Sequence, residues 1–185
     1  PVSEEKQVLC QEIYKKMVNE HFFNDKDLTS INAEIFDTLV DQLDSQKIYF
    51  TENEIASFKR KFSRFDDPTS YQKKFSKIPL CSIDLKSEFA FINLYFNRLI
   101  EATNYQLKEV SKKNFDFTKE EIILIDDDKK KWQKSKLELR KVWRKLAKND
   151  VLTSMLADKE LDEATETIKK RYKNRLRRIS QRNEE

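Results

Sequence analysis

The stretch DLKSEFAFINLYFNRLIEATNYQLKEVSKK, residues 84–113, decides the fold class of this chain. Its apolar side chains recur every three or four residues for about eight turns, which is the spacing of one face of a helix. No Gly or Pro interrupts it. The pattern predicts one long helix whose core face consists of Leu85, Phe89, Ile92, Phe96, Leu99, Thr103, Leu107 and Val110.

Helical spacing continues on both sides of this stretch. It predicts helices over about 3–22, 32–44, 134–149 with a continuation to Leu156, and from Asp158 or Asp162 to about 182. Thr51 and Glu54 form a capping-box pattern, which indicates another helix start. Thr118 and Glu121 have the same spacing, in a segment where the run EIILI is also compatible with an extended conformation.

The chain has no glycine among its 185 residues, and only 3 prolines. Glycine supplies positive φ angles and lets the backbone approach a ligand, so its absence argues against phosphate-binding loops, dinucleotide folds and nucleophile elbows. With 38% hydrophobic residues, 13 of them Phe, the chain can fill a core. We predict an all-α fold: a single, irregular domain over residues 1–185 with about six to eight helices, ending in a long, basic, amphipathic helix.

The charge is distributed unevenly along the chain. Residues 129–185 contain 19 Lys or Arg against 9 Asp or Glu, whereas residues 1–128 contain 18 against 24. The basic character is strongest in KKRYKNRLRRISQRNEE, residues 169–185, where Ile168, Tyr172, Leu176 and Ile179 form one apolar stripe on a cationic helix. Such a helix can contact phosphates, an anionic surface or acidic residues of its own molecule.

Residue types that carry chemistry are scarce. The single histidine, His21, has no Cys or His neighbours, which is typical of a structural residue. Cys10 and Cys81 lack metal-ligand spacing, and whether they form a disulfide is left open. Asp126, Asp127 and Asp128 are adjacent rather than alternating, so a solvated turn is favoured over a calcium loop. We predict no catalytic residue, no metal and no cofactor, and therefore no enzymatic activity for this chain alone.

Several blocks of the sequence resemble one known family. These are LVDQLDSQKIYFTENEIASF (39–58), KNFDFTKEEI (113–122) with DKKKW (128–132), ELRKVWRKLAKNDVLTSML (138–156) and KKRYKNRLRRISQRNEE (169–185). In order and spacing they are similar to the N-terminal region of tail-specific proteases, the bacterial carboxyl-terminal processing peptidases. The resemblance runs from about Ile35 to the last residue and is most specific from Phe115 to Asn183.

The resemblance implies a function that composition does not reveal. Members of this family are exported to the periplasm and combine the helical region with a PDZ domain, which recognises apolar C-terminal tails, and a serine protease domain with a Ser–Lys dyad. Some use a lipoprotein adaptor built of helical repeats, which docks on the helical region. The chain is then expected to be a non-catalytic N-terminal part of a larger protease, lacking its signal peptide, and a platform for those domains and the adaptor.

The same resemblance suggests a purpose for the basic helix. It is expected to contact the PDZ and protease domains, or acidic residues of the front half, through Arg171, Arg175, Arg177, Arg178 and Arg182. Trp132, next to three lysines, is expected to be an exposed anchor, whereas Trp143 lies on an apolar face and is expected in the core.

Three other functions compete with this one. The +10 charge of residues 129–185 is compatible with a nucleic-acid-binding helical domain, which is the alternative, although 33 acidic residues and the lack of a groove-reading motif oppose it. An independent enzyme is opposed by the single His and the missing Gly. Membrane binding by the last helix is opposed by its narrow apolar stripe, and no apolar run is long enough to span a bilayer.

Overall fold

A computed structural model describes residues 28–63, 86–123 and 130–184 of the chain. The predictions for the helix over 3–22, His21, Cys10, Cys81, Leu85 and Asp126–Asp128 concern residues outside these ranges. Five helices lie within them: α1 (Leu28–Asp44), α2 (Glu52–Ser63), α3 (Lys86–Ser111), α4 (Lys136–Met155) and α5 (Leu161–Glu184). The described residues form no strand, only one isolated bridge between Thr51 and Gln133. The all-α prediction is confirmed.

Short polar side chains start two of these helices. The Thr51 N–H donates to Glu54 Oε2 (2.8 Å) and the Glu54 N–H donates to Thr51 Oγ1 (3.4 Å), so the predicted capping box forms at α2. Ser135 caps α4 by accepting a hydrogen bond from the Glu138 N–H. The helix α4 continues through Asn149 and Asp150 without a break.

Of the two alternatives for the segment around Thr118, a helix cap or an extended run, the cap is wrong, because no helix follows Thr118 within residues 112–123. The Thr118 N–H (3.0 Å) and hydroxyl (2.6 Å) both donate to Asp116 Oδ1, so Asp116 holds a local turn instead. A capping-box spacing starts a helix only where an apolar face follows that can pack. Ile122, which would begin such a face, is exposed.

Turns with left-handed backbone exist despite the missing glycine. In the described residues the positive φ angles belong to Lys47 (53°), Lys113 (51°) and Asp158 (59°). Lys113 follows the C-terminus of α3, and Asp158 lies in the turn between α4 and α5. Each such residue costs conformational energy that a glycine would avoid, so the contacts of these turns have to hold them in place.

The chain divides into two compact units. The first comprises Pro1–Leu43 and Ala56–Phe91, and its described core is built on aromatic rings. Phe91 is fully buried and meets Phe36 at 5.3 Å and Phe58 at 5.0 Å between ring centroids. Tilted and edge-on ring pairs of this kind stabilise a core beyond their buried area.

The second unit comprises Asp44–Ile55 and Ile92–Glu185. Helices α4 and α5 pack against each other in it. One apolar cluster contains Val110, Ala147, Val151, Ala164, Ile168 and Tyr172, and a second contains Ala102, Leu139 and Trp143. The core position predicted for Trp143 is confirmed. The single domain over residues 1–185 stays a prediction, which one cooperative unfolding transition would support.

Phe89, predicted in the core face of α3, is in fact exposed, and so is Leu137 in α4. The side chain of Phe89 is 63% exposed and that of Leu137 is 64% exposed, while their neighbours Phe91 and Leu139 are fully buried. Two residues along a helix rotate the side chain by about 200°, onto nearly the opposite face. The apolar spacing predicted for α3 is therefore right, but near its start the helix buries Phe91 rather than the predicted Phe89.

Candidate interaction surfaces

A buried carboxylate organises the turn that follows α1. Asp44 accepts hydrogen bonds from the backbone N–H groups of Ile48 (2.8 Å), Tyr49 (2.8 Å) and Phe50 (3.1 Å). Burial raises the pKa of this carboxyl to about 6, while the three N–H donors and the charge of Lys130 act in the opposite direction. This turn lies within the block at residues 39–58 on which the family resemblance partly rests.

The turn is attached to segment 130–133 and to α4. Lys47 Nζ donates to the Lys130 carbonyl (2.6 Å), and the Glu52 N–H donates to the Gln133 carbonyl (2.9 Å). The indole N–H of Trp143 donates to the Ile48 carbonyl (2.7 Å). These bonds connect residues that are 81 to 95 positions apart, so segment 130–133 is fixed by contacts that no local pattern indicates.

Two lysines of α4 hold a second segment, 119–122. Lys148 is nearly buried and donates to the Lys119 carbonyl (2.7 Å) and to Glu121 Oε2 (2.8 Å). Lys145 Nζ donates to the Ile122 carbonyl (3.3 Å). The hydrogen bond from Lys148 lowers the pKa of the Glu121 carboxyl, so this carboxyl is charged at neutral pH.

Between these segments and α4 lies a cleft of about 620 Å³. Its described lining combines apolar side chains with five lysines and a single acid, Glu138. We call it the lysine-rimmed cleft; its lining residues are Gln46, Ile48, Ile122, Ile123, Lys130, Lys131, Trp132, Gln133, Lys134, Glu138, Lys141, Val142, Lys145 and Leu146. The cleft joins a basic surface to an apolar interior.

Trp132, predicted as an exposed anchor, lines this cleft and is half-buried. The centroid of its ring lies 6.5 Å from that of the Phe50 ring and 5.8 Å from Lys47 Nζ. The ring is thus held by a neighbouring aromatic ring and a cation rather than standing free in water. The role of Trp132 as an anchor for a partner stays a prediction.

Among the basic residues of α5, Arg175 faces inward. It is half-buried, and its Nη2 donates to the Tyr49 hydroxyl (2.6 Å), 126 positions away in the sequence. Burial raises the pKa of that hydroxyl, so Tyr49 is neutral and accepts the bond as a phenol. Arg175 therefore connects the last helix to the Asp44 turn, within the front half of the sequence.

The remaining predicted contact residues of α5 face solvent. Arg171 lies 3.7 Å from Asp150 and Arg177 donates to Asn174 Oδ1 (3.4 Å), while Arg178 is exposed. The side chain of Arg182 is outside the described part of the structure. Exposed cations at helical spacing form what we call the outer basic row: Lys170, Lys173, Arg177 and Arg178. Among the described residues, none of these four forms an ion pair.

Acidic partners of α5 come from nearby in the sequence. Arg171 faces Asp150, and Lys169 Nζ binds Glu166 Oε1 (2.7 Å); both acids belong to the basic half of the chain. Tyr172 donates from its hydroxyl to Asp150 Oδ2 (2.6 Å). The expected pairing of α5 with carboxylates of residues 1–128 is thus absent from the described ion pairs of α5, and Arg175 reaches that half through a phenol.

An ion cluster around the buried Arg98 was not predicted from the sequence. Arg98, in α3, is 2% exposed and donates from its two terminal nitrogens to Glu54 and Glu101. Arg140 adds a third contact, to Glu101 Oε1 (3.4 Å). The only signal in the sequence was a charged residue one position before Leu99 on a buried helix. Among the described residues, no group of three or more His, Cys, Asp or Glu is arranged so that it could hold a metal ion.

The fold and these surfaces define an all-α protein with a cationic helix face and a lysine-rimmed cleft. The buried charged side chains of Asp44, Arg98 and Lys148 form hydrogen bonds within the chain. Residues 13–185 match the family model described as the tail specific protease N-terminal domain. The chain belongs to this family. It is 24% identical over 180 residues to a protein of Haemophilus influenzae named tail-specific protease, a match covering 97% of the chain.

The chain spans about a quarter of that relative, 24% of its length. The match to the family model confirms the family assignment that the quoted blocks indicate. In the part of the chain that the structure describes, no helix is long and apolar enough to cross a membrane.

Proposed function

We propose that this chain is the non-catalytic helical platform of a periplasmic tail-specific protease. In this role it braces the PDZ and serine protease domains, which would recognise apolar C-terminal tails and cleave with a Ser–Lys dyad outside this chain. A lipoprotein adaptor built of helical repeats would dock on the same platform. These roles come from the family resemblance, and the outer basic row is the contact surface that we assign to them.

The observation that carries the proposal is the two-sided character of α5. Its inner face buries Ala164, Ile168, Tyr172 and Ile179, which fixes the position and rotation of the helix. Its outer face presents Lys170, Lys173, Arg177 and Arg178 to solvent. A row of cations on a helix whose backbone is fixed, and without ion pairs among the described residues, is suited to binding an acidic surface in a defined orientation, since no backbone ordering is left for binding.

The length of the match supports a role alongside other domains. The matched segment is 24% of the Haemophilus relative. In a protein of that length, a helical region would leave tail recognition and peptide-bond cleavage to the other three quarters.

A titration in trans tests the platform role. The PDZ and protease portion of a tail-specific protease, produced without its helical region, is mixed with increasing amounts of this chain. Complex formation is followed by calorimetry, and cleavage is followed with a substrate that has an apolar C-terminal tail. We expect saturable binding and a change of at least threefold in the cleavage rate.

Two charge reversals locate the contact. Arg177→Glu combined with Arg178→Glu should weaken the complex at least tenfold, because opposite charges at a rigid interface become like charges. Lys134→Glu combined with Lys141→Glu changes the net charge equally, away from α5, and should weaken it less than twofold. Equal losses for both variants would refute the outer basic row as the contact, and absence of binding by the folded wild-type chain would refute the platform role.

The same variants address adaptor and nucleic-acid binding. If a helical-repeat lipoprotein adaptor docks on the outer basic row, its affinity should fall with Arg177→Glu and Arg178→Glu. Binding to duplex DNA is expected to be weak and without sequence preference at physiological salt. A DNA affinity that falls steeply with salt and exceeds the affinity for the protease portion would favour the nucleic-acid alternative.

A further inference from the structure

We propose that the lysine-rimmed cleft binds a short acidic segment of a partner protein, one in which carboxylate and apolar side chains alternate. The cleft lies against α4 and segments 122–123 and 130–134. It is distinct from the outer basic row of α5. The proposal does not depend on the platform role, because it concerns a different surface and a different ligand.

The apolar lining of the cleft favours an apolar side chain on the ligand. Trp132, Val142 and Leu146 are half-buried, and the side chain of Ile122 is 73% exposed beside them. An apolar side chain entering the cleft would remove this surface from water, which favours binding by about 25 cal/mol for each Å² buried. A cleft of about 620 Å³ falls within the usual size of ligand sites.

The rim asks for negative charge. Lys131, Lys134 and Lys141 have no ion pair among the described residues, whereas Lys145 already donates to the Ile122 carbonyl. Glu138 is the one acid among the described lining residues, and it accepts the Lys134 backbone N–H (2.7 Å). Among these residues lysines outnumber acids five to one, and lysine, unlike arginine, donates to carboxylates of varied orientation.

The spread of these lysines favours a peptide over a small anion. Lys134 lies two residues before the first residue of α4, and Lys145 lies nine positions after that first residue, which is a rise of about 14 Å along the helix axis. One carboxylate or phosphate cannot reach both. An extended chain of about five residues spans this distance, with side chains alternating between the cleft and its rim.

Hydrogen bonds within the chain hold two described walls of the cleft in place. Segment 130–133 is held by Lys47 and Glu52, and segment 119–122 by Lys145 and Lys148. A preformed site avoids the cost of ordering its own loops on binding.

A fluorescence titration of the intact chain tests the proposal. The probe is a six-residue peptide alternating Asp and Leu; one control peptide replaces Asp by Lys, and another replaces Leu by Ser. We expect saturable binding of the first peptide and at least tenfold weaker binding of both controls. Trp132 should report the binding: Trp132→Phe should abolish the change in emission, because Trp143 is fully buried, while affinity falls less than threefold.

Charge-reversal variants test whether the peptide binds in the cleft. Lys134→Glu with Lys141→Glu should weaken binding at least tenfold, and Arg177→Glu with Arg178→Glu should leave it within twofold, with unchanged circular dichroism in both. Absence of binding, equal loss in both double variants, or equal binding of the Asp–Ser peptide would overturn the proposal. Binding of phosphatidylglycerol vesicles that is lost in the cleft variant, without competition by the peptide, would overturn it in favour of a lipid surface.

Discussion

The ion cluster around Arg98 and the outer basic row of α5 use the same chemical group in opposite ways. Arg98 is buried, and two carboxylates, Glu54 and Glu101, surround it. Arg177 and Arg178 face water and form no ion pair within the described part of the chain. A buried cation is tolerated only with carboxylates around it, and then its loss is costly. An exposed cation contributes little to folding and stays available for a partner.

The largest effect is expected at Arg98. Arg98→Met removes the cation and leaves Glu54 and Glu101 facing a half-apolar site, so the free energy of unfolding should fall by about 3 kcal/mol or more. Urea denaturation followed by circular dichroism measures this. The matched control is Arg178→Met, which should change the same quantity by less than about 0.5 kcal/mol. Similar losses for the two variants would contradict the contrast between buried and exposed arginines.

Asp44 extends the comparison to a buried anion held by N–H groups instead of a cation. Its pKa of about 6 lies above the ordinary aspartate pKa of 3.8, so the native state binds more protons than the unfolded state between about pH 4 and pH 6. The contribution of Asp44 to the free energy of unfolding should therefore fall by up to about 3 kcal/mol as pH rises through this window.

The measurement is urea denaturation at several pH values for the wild type and for Asp44→Asn, which cannot titrate. The difference between the two isolates Asp44 from the other carboxylates. We expect the wild type to lose stability relative to Asp44→Asn as pH rises. The opposite slope would mean that the three backbone donors outweigh burial.

Arg175 is intermediate between the two settings, because it is half-buried and has a neutral partner. Tyr49→Phe removes the hydroxyl that accepts its hydrogen bond and should lower the free energy of unfolding by about 1 kcal/mol. Tyr105→Phe, at a half-buried tyrosine with no hydroxyl bond among the described contacts, is the control and should have a smaller effect. If neither substitution changes the free energy of unfolding, Arg175 contributes as little to the fold as the exposed cations of the outer basic row.

The smallest effect is expected from the outer basic row itself. Arg177→Gln with Arg178→Gln should leave the free energy of unfolding within about 0.5 kcal/mol of the wild type, because both side chains are exposed. Thermal unfolding at low and high salt measures it. Marked destabilisation would show that these arginines serve the fold, and the platform proposal would lose its contact surface.

Local spacing predicted much of the helical architecture. The helix over 84–113 is observed as Lys86–Ser111, and the one starting near Asp162 as Leu161–Glu184. The capping box of Thr51 and Glu54 and the buried Trp143 were also predicted. These features depend on neighbours within about four residues, which is the range over which a helix places side chains together.

The candidate surfaces could be predicted only in part. The outer basic row was visible as a run of cations, and Trp132 was noticed for its lysine neighbours. That Lys131, Lys134 and Lys141 share a cleft with Ile122 and Trp132 was not visible, because it depends on where segments 122–123 and 130–134 lie against α4. Segment 130–133 is held by hydrogen bonds from Lys47 and Glu52, about 80 positions away, and segment 119–122 is held by hydrogen bonds from Lys145 and Lys148 of α4.

The sequence by itself determined that this protein is all-α, where most of its described helices run, and which family it belongs to. Its helical spacing and missing glycine left no other fold class. Only the tertiary structure decided that Phe91 rather than Phe89 is buried, that Arg98 is an internal cation, and that Arg175 turns inward while Arg178 does not. The reason is physical: spacing defines the faces of a helix, but which face loses its water depends on segments that approach it from far along the chain.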